Sequence, residues 1–215
     1  MYESFAPFGP LIYRADIRGE FNDFLLKHLD SVRVSGDASD KLAGNIEEQR
    51  YASYPHNEFM SYVHHHILNY LRENYKRILK IQRNIFDDNN KILNPDKHQI
   101  SYHLGQGPWV NFSRKGEFNP IHNHSGLISG VVFIDIPDKL EEERENSAHP
   151  INPAGCLEFI NSNTQILVKP KTGTLYLFPS YQLHVVYPYC SDVERISMSF
   201  NIYDLNYDGN SQNFI

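Results

Sequence analysis

The sequence predicts a mainly β, α+β protein: a barrel or jelly roll in the C-terminal part, with N-terminal helices packed on one face. Three observations carry this expectation. From Gln99 onward, short runs rich in Val, Ile, Phe and Tyr are bounded by Gly, Pro, Asn or Asp, about eight times over, the pattern of strands joined by turns. Ahead of them, apolar residues recur at helical spacing. The length of 215 residues is enough to bury one core with elaborations. We expect a single structural domain, with residues 1–98 as an extended segment and helices bracing a core of residues 99–215.

Taken in order, Phe5 to Ile17 reads as an extended opening segment. Its prolines suit a sheet edge, and Leu11 to Ile17 can pair with a sheet. Phe21, Phe24, Leu25 and Leu29 define a short amphipathic helix. Ser35 to Arg50 is small and polar, with Gly36, Asp37, Asp40, Gly44 and Asn45. It reads as a loop with room for one helical turn, a candidate lid or substrate loop. Asn57 to Ile78 is the strongest helix, with Phe59, Tyr62, Val63, His66, Ile67, Tyr70, Leu71 and Ile78 on one face. Asn57 and Glu58 suit its start, an acid there being favoured by the helix dipole.

Within that helix, His64, His65 and His66 point about 100° apart, cannot converge on one ion, and take a structural or surface role. Asp87 to Asn90, then Asn94-Pro95-Asp96, is turn chemistry at the passage to the β part. The strand candidates are Gln99–His103, Trp109–Ser113, Leu127–Ile136, Cys156–Ile160, Ile166–Lys169, Thr174–Phe178, His184–Tyr187 and Arg195–Tyr203. Asp138 to Pro150 is charged and reads as a solvated excursion between strands.

Composition excludes several classes. The net charge is −6 with no Lys/Arg block, which argues against a nucleic-acid surface. Two cysteines, Cys156 and Cys190, do not make a disulfide framework in a chain of this size and read as reduced thiols. The first residues lack a basic region followed by an apolar run, and no apolar segment nears the roughly 20 residues that span a bilayer. The expectation is a cytoplasmic protein with no membrane partner. The aromatic strands leave room for a homodimer.

The chemistry concentrates in two stretches. Asn119-Pro120-Ile121-His122-Asn123-His124 places His122 and His124 on one side of an extended chain. Two such imidazoles and a third from a neighbouring strand can cap one face of a transition metal. The hairpin from Gly173 through Pro179-Ser180 can bring His184 to that place. Arg195 and Ser197 then share a face of the last strand, between Ile196, Met198 and Phe200. A guanidinium and a hydroxyl there suit a carboxylate ligand. Arg195 could equally pair with Glu158 or end in solvent. Asn111 and Ser129 are weaker candidates for hydrogen bonds to the same ligand.

These residues resemble the iron(II)/2-oxoglutarate-dependent oxygenase superfamily, and most of all an uncharacterised bacterial and phage-type family within it. The likeness rests on Trp109-x-Asn111, His122-x-His124 followed by Leu127-x-Ser129-Gly130, Gly173-x-Leu175-x-x-Phe178-Pro179-Ser180, His184 with Val186 and Pro188, and Arg195-x-Ser197-x-x-Phe200-Asn201. It spans a little under half the chain. The resemblance implies a double-stranded β-helix, a jelly roll of cupin-like architecture. It implies Fe(II) held by His122, His124 and His184, with no catalytic residue beyond the metal ligands. It implies 2-oxoglutarate held by Arg195 and Ser197, with Asn111 and Ser129 as further cofactor-binding positions, and O2 as the other co-substrate.

One position departs from the superfamily's pattern: His124 stands where Asp or Glu is usual. Direct ligation by His124 is the reading preferred here. The alternative places a carboxylate such as Asp135 or Glu158 on the metal and His124 behind it. The activity implied is hydroxylation of a small-molecule or peptidyl substrate, a prolyl residue among the candidates. A second resemblance competes. Gly116-x5-His122-x-His124 and Gly173-x5-Pro179 followed by His184 are similar to the two cupin motifs, without the usual Glu, and would imply a metal-binding protein with no 2-oxoglutarate turnover. A barrel without metal is the third reading.

Overall fold

The computed structural model describes residues 2–5, 9–82, 94–105, 107–162, 164–208 and 210–211. Tyr2–Phe5 (β1) and Ile12–Asp16 (β2) open the chain as an antiparallel pair. Helices Glu20–Lys27 (α1) and Leu29–Arg33 (α2) follow, then the short strand Gln49–Tyr51 (β3) and the long helix His56–Gln82 (α3). The β-rich part contains Ile100–Leu104 (β4), Trp109–Ser113 (β5), Asn119–His122 (β6) and Ile128–Asp135 (β7). After helix Lys139–Glu145 (α4) come Leu157–Asn161 (β8), Thr164–Val168 (β9), Thr174–Pro179 (β10), Leu183–Val186 (β11), Arg195–Tyr207 (β12) and Asn210–Ser211 (β13).

The strands form two antiparallel sheets. The larger has the order β1-β2-β10-β7-β12-β5-β3, with β4 and β13 also pairing β12; the smaller is β6-β11-β8-β9. Strand alternation sorts the side chains of the larger sheet. Val132, Ile134, Leu175, Leu177, Met198 and Phe200 turn to one face and bury against Phe21, Phe24 and Leu25 of α1 and Phe59, Val63 and Ile67 of α3. Phe133, Tyr176 and Phe178 turn to the other face and pack with Leu157, Phe159 and Val168 of the smaller sheet. Each such side chain contributes about 1.5–3 kcal/mol when fully buried. Gly130, opposite Phe200 in the register, leaves room for the Phe200 ring, which a Cβ there would strike.

All eight strands expected from the sequence are present. Leu11 to Ile17 does join a sheet, through β2 against β10. The three adjacent histidines of α3 diverge. His64 Nδ1 meets the Tyr102 hydroxyl at 3.0 Å, His66 Nδ1 meets the Tyr13 hydroxyl at 3.0 Å, and His65 meets Asn69. The turn expected at Asp87–Asn90 lies outside the described residues.

One segment differs from expectation. Asp138 to Pro150 contains α4, because Leu140 buries completely beside Ala154 and Tyr189 while Arg144 reaches the Ala154 carbonyl at 2.9 Å. The Ser35–Arg50 loop has the expected helical turn, at Ser39–Lys41, and is in addition bridged to the rest of the fold. Its bridges are Asp37 to Arg50 and Asn45 to Phe118, and it ends in β3 on the edge of the larger sheet. Arg33 and Arg114 both pair with Glu48 and Glu194, joining this segment to the ends of β5 and β12.

Candidate metal centre

Three imidazoles meet at one end of the gap between the sheets. His122 is the last residue of β6, and its register partner across the ladder is His184 of β11. His124 lies past the end of β6, so it reaches the site from a turn. Its backbone N–H is held by the Ser180 carbonyl at 2.9 Å. One ligating nitrogen from each ring lies within 4.8 Å of the others. The Nε2 atoms of His124 and His184 are 3.2 Å apart. Two nitrogens bound about 2.1 Å from a common ion, at about 100°, would show this separation.

The backbone sets the tautomers of two rings. His122 Nδ1 faces the Pro120 carbonyl at 2.7 Å, and His184 Nδ1 faces the Gln182 carbonyl at 2.9 Å. Facing an acceptor, each Nδ1 carries the proton and donates it, which leaves Nε2 as the lone-pair atom for a metal. Burial pushes His184 down to about 3 and His124 down to about 4, and lowers His122 as well. All three are therefore neutral near pH 7, the form that ligates. Among the described residues this is the one cluster of His, Cys, Asp or Glu with such convergence. Glu158, the alternative ligand, is engaged by the Tyr187 hydroxyl at 2.5 Å.

Arg195 lies in the same cavity, which is lined by the three histidines, Asn111, Phe133, Phe178, Arg195 and Ser197 among others. Arg195 is 2 % exposed. Burial lowers its pKa to about 10, so it remains a cation. Its Nη1 donates to Ser197 Oγ at 3.1 Å, while its Nε has no partner. It stands 5.1 Å over the Phe133 ring. The expected alternative, an ion pair with Glu158, is not formed. A buried cation with an unmet donor is costly unless an anion completes it. A carboxylate ligand fits that gap.

Asn111 is the register partner of Ser197 on the adjacent strand and also lines the cavity. Ser129 is placed differently. Its hydroxyl faces Ser180 at 3.0 Å and Asn201 at 2.8 Å, and it is not part of the cavity wall. Two wall features carried no sequence signal. Gln49 of β3 and the Leu42–Gly44 segment, which packs beside Asn119 of β6, also line the cavity. They come from a segment with neither strand nor helix periodicity.

A jelly roll with converging neutral imidazoles and a nearby buried arginine offers donors for one metal ion and a cation for an anionic ligand. Residues 107–201, a little under half of the chain, match the family described as "Putative 2OG-Fe(II) oxygenase". The fold is the double-stranded β-helix. It resembles the Trichoplax adhaerens prolyl hydroxylase solved with a hypoxia-inducible-factor peptide, at 12% identity and TM-score 0.50, over 90% of this chain and 83% of that one. The nogalamycin carbocyclase SnoK aligns at 11% identity and TM-score 0.49, over 94% and 83% of the two chains. A Pseudomonas putida prolyl-4-hydroxylase aligns at 13% and 0.44, over 88% and 90%. No curated protein matches the sequence. Among the described residues, no helix is long and apolar enough to cross a membrane.

Proposed function

We propose that the chain is a hydroxylase in which His122, His124 and His184 hold iron(II), while Arg195 and Ser197 bind the far carboxylate of 2-oxoglutarate and Asn111 donates to the same molecule. When bound, the metal supplies oxidative hydroxylation: 2-oxoglutarate and O2 become succinate and CO2, and one oxygen atom enters the substrate. The chain's own residues prepare that reaction. The Pro120 and Gln182 carbonyls fix two of the rings with Nε2 inward. Arg195 and Ser197 hold the co-substrate by its non-reacting end, so its keto-acid end faces the histidines. Phe133, Phe178, Leu157 and Val186 line the cavity and keep it dry, which protects a reactive oxidant from water.

The observation that carries this reading is the shared cavity: three neutral imidazoles and a buried arginine with an unmet donor. A metal-storage role would use the first and leave the second unexplained. The substrate is a small molecule or a peptidyl group. It enters through an outer cleft that shares Trp109, His122 and His124 among other residues with the cavity and also includes Lys41, Asn123, Ser125 and Tyr203. The peptide held by the Trichoplax enzyme makes a peptidyl substrate a precedent on this fold.

Anaerobic titration of metal-free protein with Fe(II), then 2-oxoglutarate, tests the reading. A weak visible charge-transfer band of the chelated keto acid is expected. Arg195→Ala should retain iron and weaken 2-oxoglutarate at least about tenfold, the loss typical when one partner of a buried charge pair is removed. Iron binding without a band in the wild type would sink the proposal.

A further inference from the structure

We infer that Gln49 is a substrate-recognition residue, its carboxamide oxygen accepting a hydrogen bond from an N–H or O–H group of the primary substrate. Gln49 is 1 % exposed and lines the cavity beside the histidines. Its Nε2 donates to Asn111 Oδ1 at 2.7 Å, and its Oε1 is buried with no partner. It belongs to β3, outside the stretch of residues 107–201 that matches the oxygenase family.

The polarity of this arrangement follows a chain of pairings, and it rests on the function proposed above. Gln49, Asn111 and Ser197 are successive register partners across β3, β5 and β12. At neutral pH 2-oxoglutarate offers only acceptors. Asn111 must therefore turn its N–H groups toward it, which directs Asn111 Oδ1 toward Gln49. Gln49 then satisfies Asn111 with its own N–H, and its oxygen is the group left without a partner. A co-substrate without donors cannot use that oxygen. The partner left is the molecule to be hydroxylated, and it must bring a donor: an amide, an amine or an alcohol. Sites built around a buried acceptor discriminate strongly against analogues lacking the donor, because the acceptor is then stranded.

The test uses two rings of the same size, the lactam 2-pyrrolidinone and the lactone γ-butyrolactone, which differ in one N–H. Each is titrated anaerobically into Fe(II)- and 2-oxoglutarate-loaded protein. Trp109 is the only tryptophan and lines both the cavity and its outer cleft, so its fluorescence reports binding alongside the visible band. The lactam should bind wild type at least about fivefold more tightly than the lactone. Gln49→Met should erase that preference. Gln49→Glu, which keeps an acceptor in place, should retain a preference for the lactam. Arg195 and Ser197 still hold 2-oxoglutarate in Gln49→Met, so its band should form at saturating 2-oxoglutarate, with weaker affinity where Asn111 has lost its Gln49 donor. Equal binding of the two rings to wild type, or an unchanged preference in Gln49→Met, overturns the inference while the band stands. Absence of the band in wild type is the separate failure of the oxygenase reading.

Discussion

On the ligation proposed above, His124 sets the charge at the site. With three neutral imidazoles, a divalent ion keeps its full charge until the dianionic co-substrate arrives, and the pair then sums to zero. A carboxylate in that position would leave one positive charge before co-substrate and one negative charge after it. His124→Asp should therefore bind iron(II) more tightly and 2-oxoglutarate several-fold more weakly, since a like charge is added beside the ligand. Iron content after gel filtration and the 2-oxoglutarate dependence of the visible band measure the two effects. Unchanged co-substrate affinity would mean that the ring does not face the metal. The His122/His124 pair was legible because a spacing of two puts both rings on one side of extended chain. The end of β6 at His122, which hands His124 to a turn, was not, because it depends on the Ser180 carbonyl capturing the His124 backbone N–H. Gln49 left no trace, since its meaning arises only from Asn111, 62 positions away.

At the scale of elements, α3 is fastened to the larger sheet by apolar packing and by a polar tie between His66 and Tyr13. Tyr13 is fully buried, and burial raises its pKa to about 12, so it keeps its proton for His66. Burial lowers His66 to about 4. In the unfolded chain a histidine titrates near 6.5. Below that pH the unfolded state takes up a proton that the folded state refuses, so stability is full above about 6.5 and falls as pH drops toward 4. Chemical denaturation should show wild type losing about 1 kcal/mol more than His66→Gln between pH 6.5 and 5. Equal losses would show that the tie does not titrate. The apolar face of α3 was readable from Phe59, Val63, Ile67 and Tyr70, whose spacing matches the helix. α4 was not readable, because seven residues with a single apolar anchor, Leu140, show no period.

Across the whole molecule, residues 1–98 and residues 99–215 contribute to one sheet and one apolar core. The C-terminal residues alone hold β10, β7, β12 and β5 of the larger sheet, but β2 closes one side of that set and β3 the other. The face of Val132, Leu175, Met198 and Phe200 is covered by α1 and α3. A fragment starting at residue 99 would expose that face and two unpaired strand edges, a combination that drives aggregation. It would also lack Gln49 and the Leu42–Gly44 wall of the cavity. The sequence showed where strands begin but not that the helical part supplies edge strands, because β3 is three residues long and carries no alternation. The fragment 99–215 should therefore fail to give a cooperative thermal transition and should bind the hydrophobic dye ANS strongly. Supplying residues 1–98 in trans should restore the transition. A fragment that melts cooperatively alone and binds iron would show that the barrel is self-sufficient and that the N-terminal part merely covers it.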